Sequence, residues 1–215
     1  MEDSYNTIEE SNSSDFRDRG SKFIAYLFPC DKEAVFNEKM KVCKADHVKA
    51  RHHCYAYRLK TGLERSSDDG EPSGTAGQPI MNQLYSNGLV DVACIVVRYF
   101  GGTKLGVSGL INAYKQATKM AIETNSIVLK FETIKLKVTF QYDKLGVLMD
   151  ILKRLKLKII SKELNAQPYI LIEVNKSEGL LTIVKLKALL LNRSIEDIKE
   201  EDKIENVDFE ILESN

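Results

Sequence analysis

From Val90 the chain runs through β-branched and apolar residues, VDVACIVVRYF, with almost no polar interruption. A run so continuous predicts a strand covered on both faces. The period then changes. Gly101, Gly102, Gly106 and Gly109 fall within nine residues, and from Ser108 onward Leu110, Ile111, Tyr114, Thr118, Ala121 and Ile122 recur at three-to-four spacing. That spacing predicts an amphipathic helix, so the stretch reads as strand, glycine loop, helix.

The same patterning divides the rest of the chain. Residues Met1 to Asp18 are polar and acidic and predict a loose segment or a sheet edge. Ser21 to Phe28 alternates into a strand ended by Pro29, and a helix follows from Asp31, its N-cap, with Val35, Phe36, Met40 and Val42 on the apolar side. Cys54 to Leu59 is a second strand. Thr61 to Pro79 is a long loop whose Asp-Gly, Glu-Pro and Ser-Gly pairs specify turns. Pro79 opens a short helix through Tyr85 that stops at Gly88.

After Lys130 the character changes. Thr133 to Phe140 alternates Ile134, Leu136, Val138 and Phe140 against lysines, a half-buried strand. An amphipathic helix on Leu145, Leu148, Met149, Leu152 and Leu155 follows, then strands at Leu157 to Glu163 and Tyr169 to Val174, a helix from Leu180 to Leu191 and a strand at Val207 to Leu212. The order β-α-β-β-α-β is that of a ferredoxin-like domain. The expected fold class is therefore α+β in two domains, residues 1–130 and 131–215.

Composition changes this picture little. The 215 residues balance 31 Lys and Arg against 31 Asp and Glu, which excludes a uniformly basic nucleic-acid coat. A local basic face survives, because Lys130 to Lys162 holds nine cations against three acids. The four cysteines lack C-x-x-C spacing, and Cys54 and Cys94 fall in predicted strands, as suits reduced, buried thiols. No run is long enough to span a bilayer, and the acidic, serine-rich start differs from a signal peptide, so the expected location is the cytoplasm.

The glycine loop joins backbone N–H groups to a helix N-terminus beside Arg98 and Lys104, an arrangement that suits an anion. The glycines equally serve a sharp turn and close packing. Neither a P-loop nor a dinucleotide loop fits, because Val107-Ser108 stands where a P-loop needs Lys-Ser/Thr and no Gly-x-Gly occurs. Arg51, His53, Asp68, Asp69, Glu71 and Thr75 are candidates for an adjoining cleft wall. Adjacent His52 and His53 point to opposite faces of a strand, which argues against a zinc site, and Ser73 lacks the nucleophile elbow of a serine hydrolase. Lys153, Arg154, Lys156 and Lys158 form a second basic cluster, either a favourable end to a helix dipole or a surface for RNA.

Three stretches carry a resemblance: Arg51-His52-His53-Cys54; Ser67 to Pro79, SDDGEPSGTAGQP; and Val97 to Gly106, VRYFGGTKLG, followed by Gly109-Leu110 and Ala113-Tyr114. Together they resemble the signature of the IMPACT/YigZ family. The resemblance implies an N-terminal domain like the second domain of ribosomal protein S five and a ferredoxin-like C-terminal domain similar to those of elongation factor G. Eukaryotic members regulate translation through an added N-terminal RWD domain; here no RWD-mediated partner is expected. Where the family has a basic residue before Ala-Tyr, this chain has Asn112.

The leading expectation is a non-enzymatic protein that binds RNA or the ribosome and translation factors, without cofactor or metal. Phosphate groups would dock at Arg98, Gly101, Gly102, Lys104 and Gly109. The alternative is a hydrolase acting on a small phosphorylated or peptide substrate with the histidine and carboxylates of the cleft. A protein-interaction module is the third reading.

Overall fold

The computed structural model describes residues 4–199 and 201–212. Its contacts divide the chain into Tyr5–Lys130 and a unit from Phe131 onward.

The first unit begins with two strands in the stretch that the sequence pattern gives as loose or a sheet edge, β1 (Ser4–Ile8) and β2 (Asn12–Asp18). There follow β3 (Ser21–Pro29), α1 (Glu33–Asp46), β4 (His52–Arg58), β5 (Glu64–Ser67), α2 (Gly77–Ser86), β6 (Val92–Tyr99), α3 (Gly106–Glu123) and β7 (Ile127–Phe131). Five strands make an antiparallel sheet ordered β2-β3-β6-β4-β5, and β1 pairs with β7 as a separate ribbon. β6 is central, and its residues from Val92 to Arg98 are all buried. On one face α2 and α3 cover Cys54, Ala56, Cys94 and Val96; on the other α1 covers Tyr57, Ala93, Ile95 and Val97. This double cover explains the unbroken apolar run, because alternate residues of β6 reach opposite cores.

Three departures from the sequence pattern have physical causes. β5 and β2 are edge strands, and both are polar because only one face or none is buried; β2 pairs residue for residue with β3 although Phe16 is its single large apolar side chain. α1 starts at Glu33 behind Lys32, so Asp31 is not its N-cap, and no side chain caps it. Val42 is 52% exposed, Cys43 fills the core position instead, and in α3 Ile111 is 40% exposed.

The second unit contains β8 (Thr133–Phe140), α4 (Leu145–Arg154), β9 (Lys158–Glu163), β10 (Tyr169–Asn175), α5 (Gly179–Leu191) and β11 (Val207–Leu212). The antiparallel order β11-β8-β10-β9 is the ferredoxin-like one, with Leu136, Val138, Ile170 and Ile172 packed against Leu148, Leu152 and Leu186. Among the described residues no helix is long and apolar enough to cross a membrane.

Candidate functional site

Loops gather at one end of the five-stranded sheet: the β2–β3 turn, the entry to β4, the segment between β5 and α2, and the glycine loop between β6 and α3. Register sets their neighbours, since Arg98 pairs with Phe23 on one side and His52 on the other. Directly paired residues share a face, so Arg98 projects toward α2 and α3 with Cys54 and Val96.

Arg98 is 6% exposed, and its guanidinium donates to Glu71 Oε1 at 2.6 Å. The Glu71 side chain is equally enclosed at 4% exposure. Tyr114 Oη donates to the same Oε1 at 2.8 Å, and the Cys54 thiol lies 3.3 Å from Tyr114 Oη with the Asp68 carbonyl as its nearer acceptor at 3.0 Å. Burial pushes the Cys54 thiol and the Tyr114 hydroxyl well above their ordinary ranges, so both stay protonated and keep donating. A second guanidinium nitrogen reaches Ser21 Oγ at 3.5 Å, and Ser21 Oγ also accepts from the Gly101 amide at 3.2 Å. This polar brace ties the long loop, β3, β6 and α3 together from inside. Among the described residues Arg98 Nε has no partner, which subtracts from what the brace contributes.

The other acids of the long loop are also turned inward. Asp69 (φ +39) and Gly70 (φ +85) make the two left-handed residues of a tight turn closed by Glu71 N–H donating to Asp68 O at 2.9 Å. The Asp68 carboxylate accepts from the amides of Gly74, Ala76 and Gly77 at 2.8, 2.9 and 2.8 Å. It therefore caps α2 from eight or nine residues upstream, a role that local spacing does not reveal. Burial alone would raise the Asp68 carboxyl; the donors from Gly74, Gly77 and Ala76 outweigh that and hold it below the usual range. Asp69 Oδ2 accepts from the His53 amide at 2.7 Å, while His52 Nδ1 donates to the Asp69 carbonyl at 2.8 Å.

The glycine loop itself faces solvent. Gly101, Gly102, Thr103 and Lys104 are exposed. A Cβ on Gly101 would sit 1.8 Å from the Gly20 carbonyl carbon, so this residue exists for close packing on the β2–β3 turn. Gly102 (φ +88) faces open space. α3 begins with no side-chain cap and no acid in its first turn. Arg19 in the neighbouring turn, Arg51 ahead of β4 and Lys104 are all exposed, and no ion pair engages them among the described residues.

Comparison with known proteins bears on the family and the fold. Residues 19–122 match the Impact N-terminal domain. The chain is 32% identical over 178 residues to IMPACT family member YvyE of Bacillus subtilis, covering 82% of this chain and 76% of that one. It is 32% identical over 150 residues to IMPACT family member YigZ of Escherichia coli, covering 68% and 74%. The chain belongs to the IMPACT family. A crystal structure of a hypothetical protein superposes over 100% of this chain and 99% of its own with a TM-score of 0.66 at 24% identity, which shows the shared fold.

In this IMPACT chain the residues singled out by sequence separate into two groups. Lys104, Gly102 and Arg51 face outward. Arg98, Glu71, Asp68, Asp69 and Gly101 are committed internally, so Arg98 is not a second docking cation beside Lys104. Its charge would be unsupportable at that depth without the Glu71 carboxylate. Gly109 lies in the first turn of α3 with Leu105 Cβ 3.0 Å from where its own Cβ would be. Thr75 is 1% exposed and donates to the Pro72 carbonyl at 2.6 Å.

His53 leaves the expected wall altogether. It pairs with Val97 and so lies on the α1 face of the sheet, opposite Glu71. Its imidazole is held below its ordinary range by burial, only partly offset by Asp69 at 3.8 Å. His53 and the Glu71 carboxylate are thus on opposite faces of the sheet, while Asp69 stays beside the imidazole with its Oδ2 engaged by the His53 amide. Among the described residues no group of three His, Cys, Asp or Glu side chains is placed to hold a metal ion.

The second basic cluster ends α4. Lys153 and Arg154 occupy its last turn and Lys156 (φ +54) follows the end, where the dipole favours cations. Lys158 pairs with Glu173 at 2.5 Å and holds that carboxyl below its usual range. Lys137 lies 3.8 Å from Glu210, so carboxylates interleave with the basic face.

Sequence reasoning passed over Ser21, Arg19 and Phe100. Ser21 opens a strand and Arg19 lies in a polar stretch, so neither has a local signal. The position of Phe100 at the end of a fully apolar strand was visible, but only the structure shows that the strand has already ended and the ring is 55% exposed.

Proposed function

We propose that this chain is a non-enzymatic RNA- or ribosome-associated protein that engages phosphate groups at the outer rim of its glycine loop. One observation carries the reading: at this end of the sheet Asp68, Asp69 and Glu71 are all consumed by internal hydrogen bonds, while Arg19, Arg51 and Lys104 face solvent without ion-pair partners among the described residues. Glu71 is balanced by Arg98, and Asp68 and Asp69 keep their charge but turn acceptors toward backbone amides, so the exposed charged side chains of these loops are the cations, although the chain as a whole carries no net charge. The uncapped first turn of α3 adds partial positive charge to the same rim.

Phosphate recognition of this kind supplies affinity without sequence preference and is strongly salt-dependent. The test is RNA binding measured against ionic strength. Each phosphate contact on a single strand contributes about −0.7 to the slope of log K against log salt, so an Arg19→Ala/Lys104→Ala double variant flattens that slope by about 1.4. No affinity at low ionic strength, or a slope unmoved by the double variant, refutes the proposal.

A further inference from the structure

We infer that Phe100 is a stacking platform for an unpaired base, and that the ligand of this rim is single-stranded rather than duplex RNA. The inference rests on the RNA-binding reading above and adds to it a substrate class and a residue.

Phe100 follows β6, the most enclosed strand of the chain, yet its side chain is 55% exposed. It is the first residue past Tyr99, the last to pair with β3. Beneath it lies the brace: Arg98 Cζ is 5.7 Å from the Phe100 ring centroid and 5.5 Å from that of the buried Phe23, so the guanidinium lies close to both rings. Because Glu71 and Ser21 hold that guanidinium, the ring stands on a fixed support.

The surroundings of the ring point to the occupant. An exposed aromatic that awaits a protein partner is ordinarily bordered by other apolar side chains. Here the chain continues from Phe100 into Gly101, Gly102, Thr103 and Lys104, all exposed. Gly101 is pressed onto Gly20, which brings the Arg19 turn alongside. Along the chain the ring is thus followed by small residues and an exposed lysine, and the turn packed on Gly101 carries Arg19 next to Asp18. A π-face next to cations that track a backbone is the combination by which proteins hold single strands, because every base offers a face to stack and every nucleotide a phosphate. A duplex keeps its bases stacked within itself and has none to offer.

The experiment uses the full chain and a labelled single-stranded RNA of about 12 nucleotides, with its duplex as the second arm, read by fluorescence anisotropy. The wild type is expected to prefer the single strand. Phe100→Ala is expected to weaken single-strand binding roughly 5- to 150-fold, with the salt slope unchanged because no charge is lost. Phe100→Leu, which keeps apolar bulk without a π-face, should fall with Phe100→Ala, and Phe100→Trp should restore binding. Melting curves that match the wild type confirm that these surface variants fold. Equal affinity of the wild type for both arms, or Phe100→Ala binding as the wild type does, overturns the stacking inference while leaving phosphate contact standing. Absence of binding to either arm overturns both.

Discussion

The Arg98–Glu71 pair decides whether Arg98 is a structural residue or a ligand contact, and the two roles predict different losses. Arg98→Met removes the cation and leaves the Glu71 carboxylate, 4% exposed, with Tyr114 as its remaining side-chain donor. Breaking a buried pair from one side costs about 3–5 kcal/mol, mostly the desolvated charge left behind. Glu71→Gln still offers an oxygen to Tyr114 but leaves the Arg98 cation, 6% exposed, without its carboxylate, so its cost should be of the same order, about 3–5 kcal/mol. In the Arg98→Met/Glu71→Gln double variant no buried charge remains, and the loss should be well below the sum of the single losses. Hydrogen exchange of the β6 amides, followed by mass spectrometry, reads this locally in the first unit even if the two units unfold separately. A loss under about 1 kcal/mol for Arg98→Met, or strict additivity in the double variant, would show that the pair is not the internal brace described.

Two further perturbations test the neighbouring geometry. Asp68→Asn keeps shape but removes the charge that accepts from three amides at the start of α2, and should cost about 1–2 kcal/mol at neutral pH in thermal or urea unfolding. Because the folded Asp68 carboxyl is held below its unfolded value, its contribution is complete above the unfolded pKa of about 4 and is lost as pH falls through the folded one; the gap between Asp68→Asn and wild type should close in acid, and a gap independent of pH would count against the capping role. Gly101→Ala drives a Cβ into the Gly20–Ser21 backbone and should destabilise by at least about 3 kcal/mol, whereas Gly102→Ala meets only the cost of a left-handed residue, about 1–2 kcal/mol; similar melting temperatures for the two would contradict the packing at the β2–β3 turn.

Much of this was legible in the chain because the signals are local. Alternation at Thr133–Phe140 and three-to-four spacing in α3 and α4 reflect faces that each element buries by itself, and α5 shows as a long apolar run, so the α+β class and the ferredoxin-like order of the second unit could be read directly. The Asp69-Gly70 turn was equally plain, since left-handed backbone is a property of the two residues that adopt it. For Met1 to Asp18 a sheet edge was one of two readings and β5 was hidden in the long loop, because an edge strand's reason to be extended is the neighbour it pairs with, not its own side chains.

Membership of the IMPACT family and the location of the glycine loop were written into the order of residues, because glycine tolerance, turn chemistry and strand-to-helix period act within a few positions. The direction in which each charge points was not. Arg98 and Lys104 are six positions apart with the same formal charge, and one is enclosed against Glu71 while the other stands in solvent. That distinction depends on which strands lie beside β6 and which carboxylate the long loop delivers to it, and such contacts between distant segments exist only once the sheet has formed.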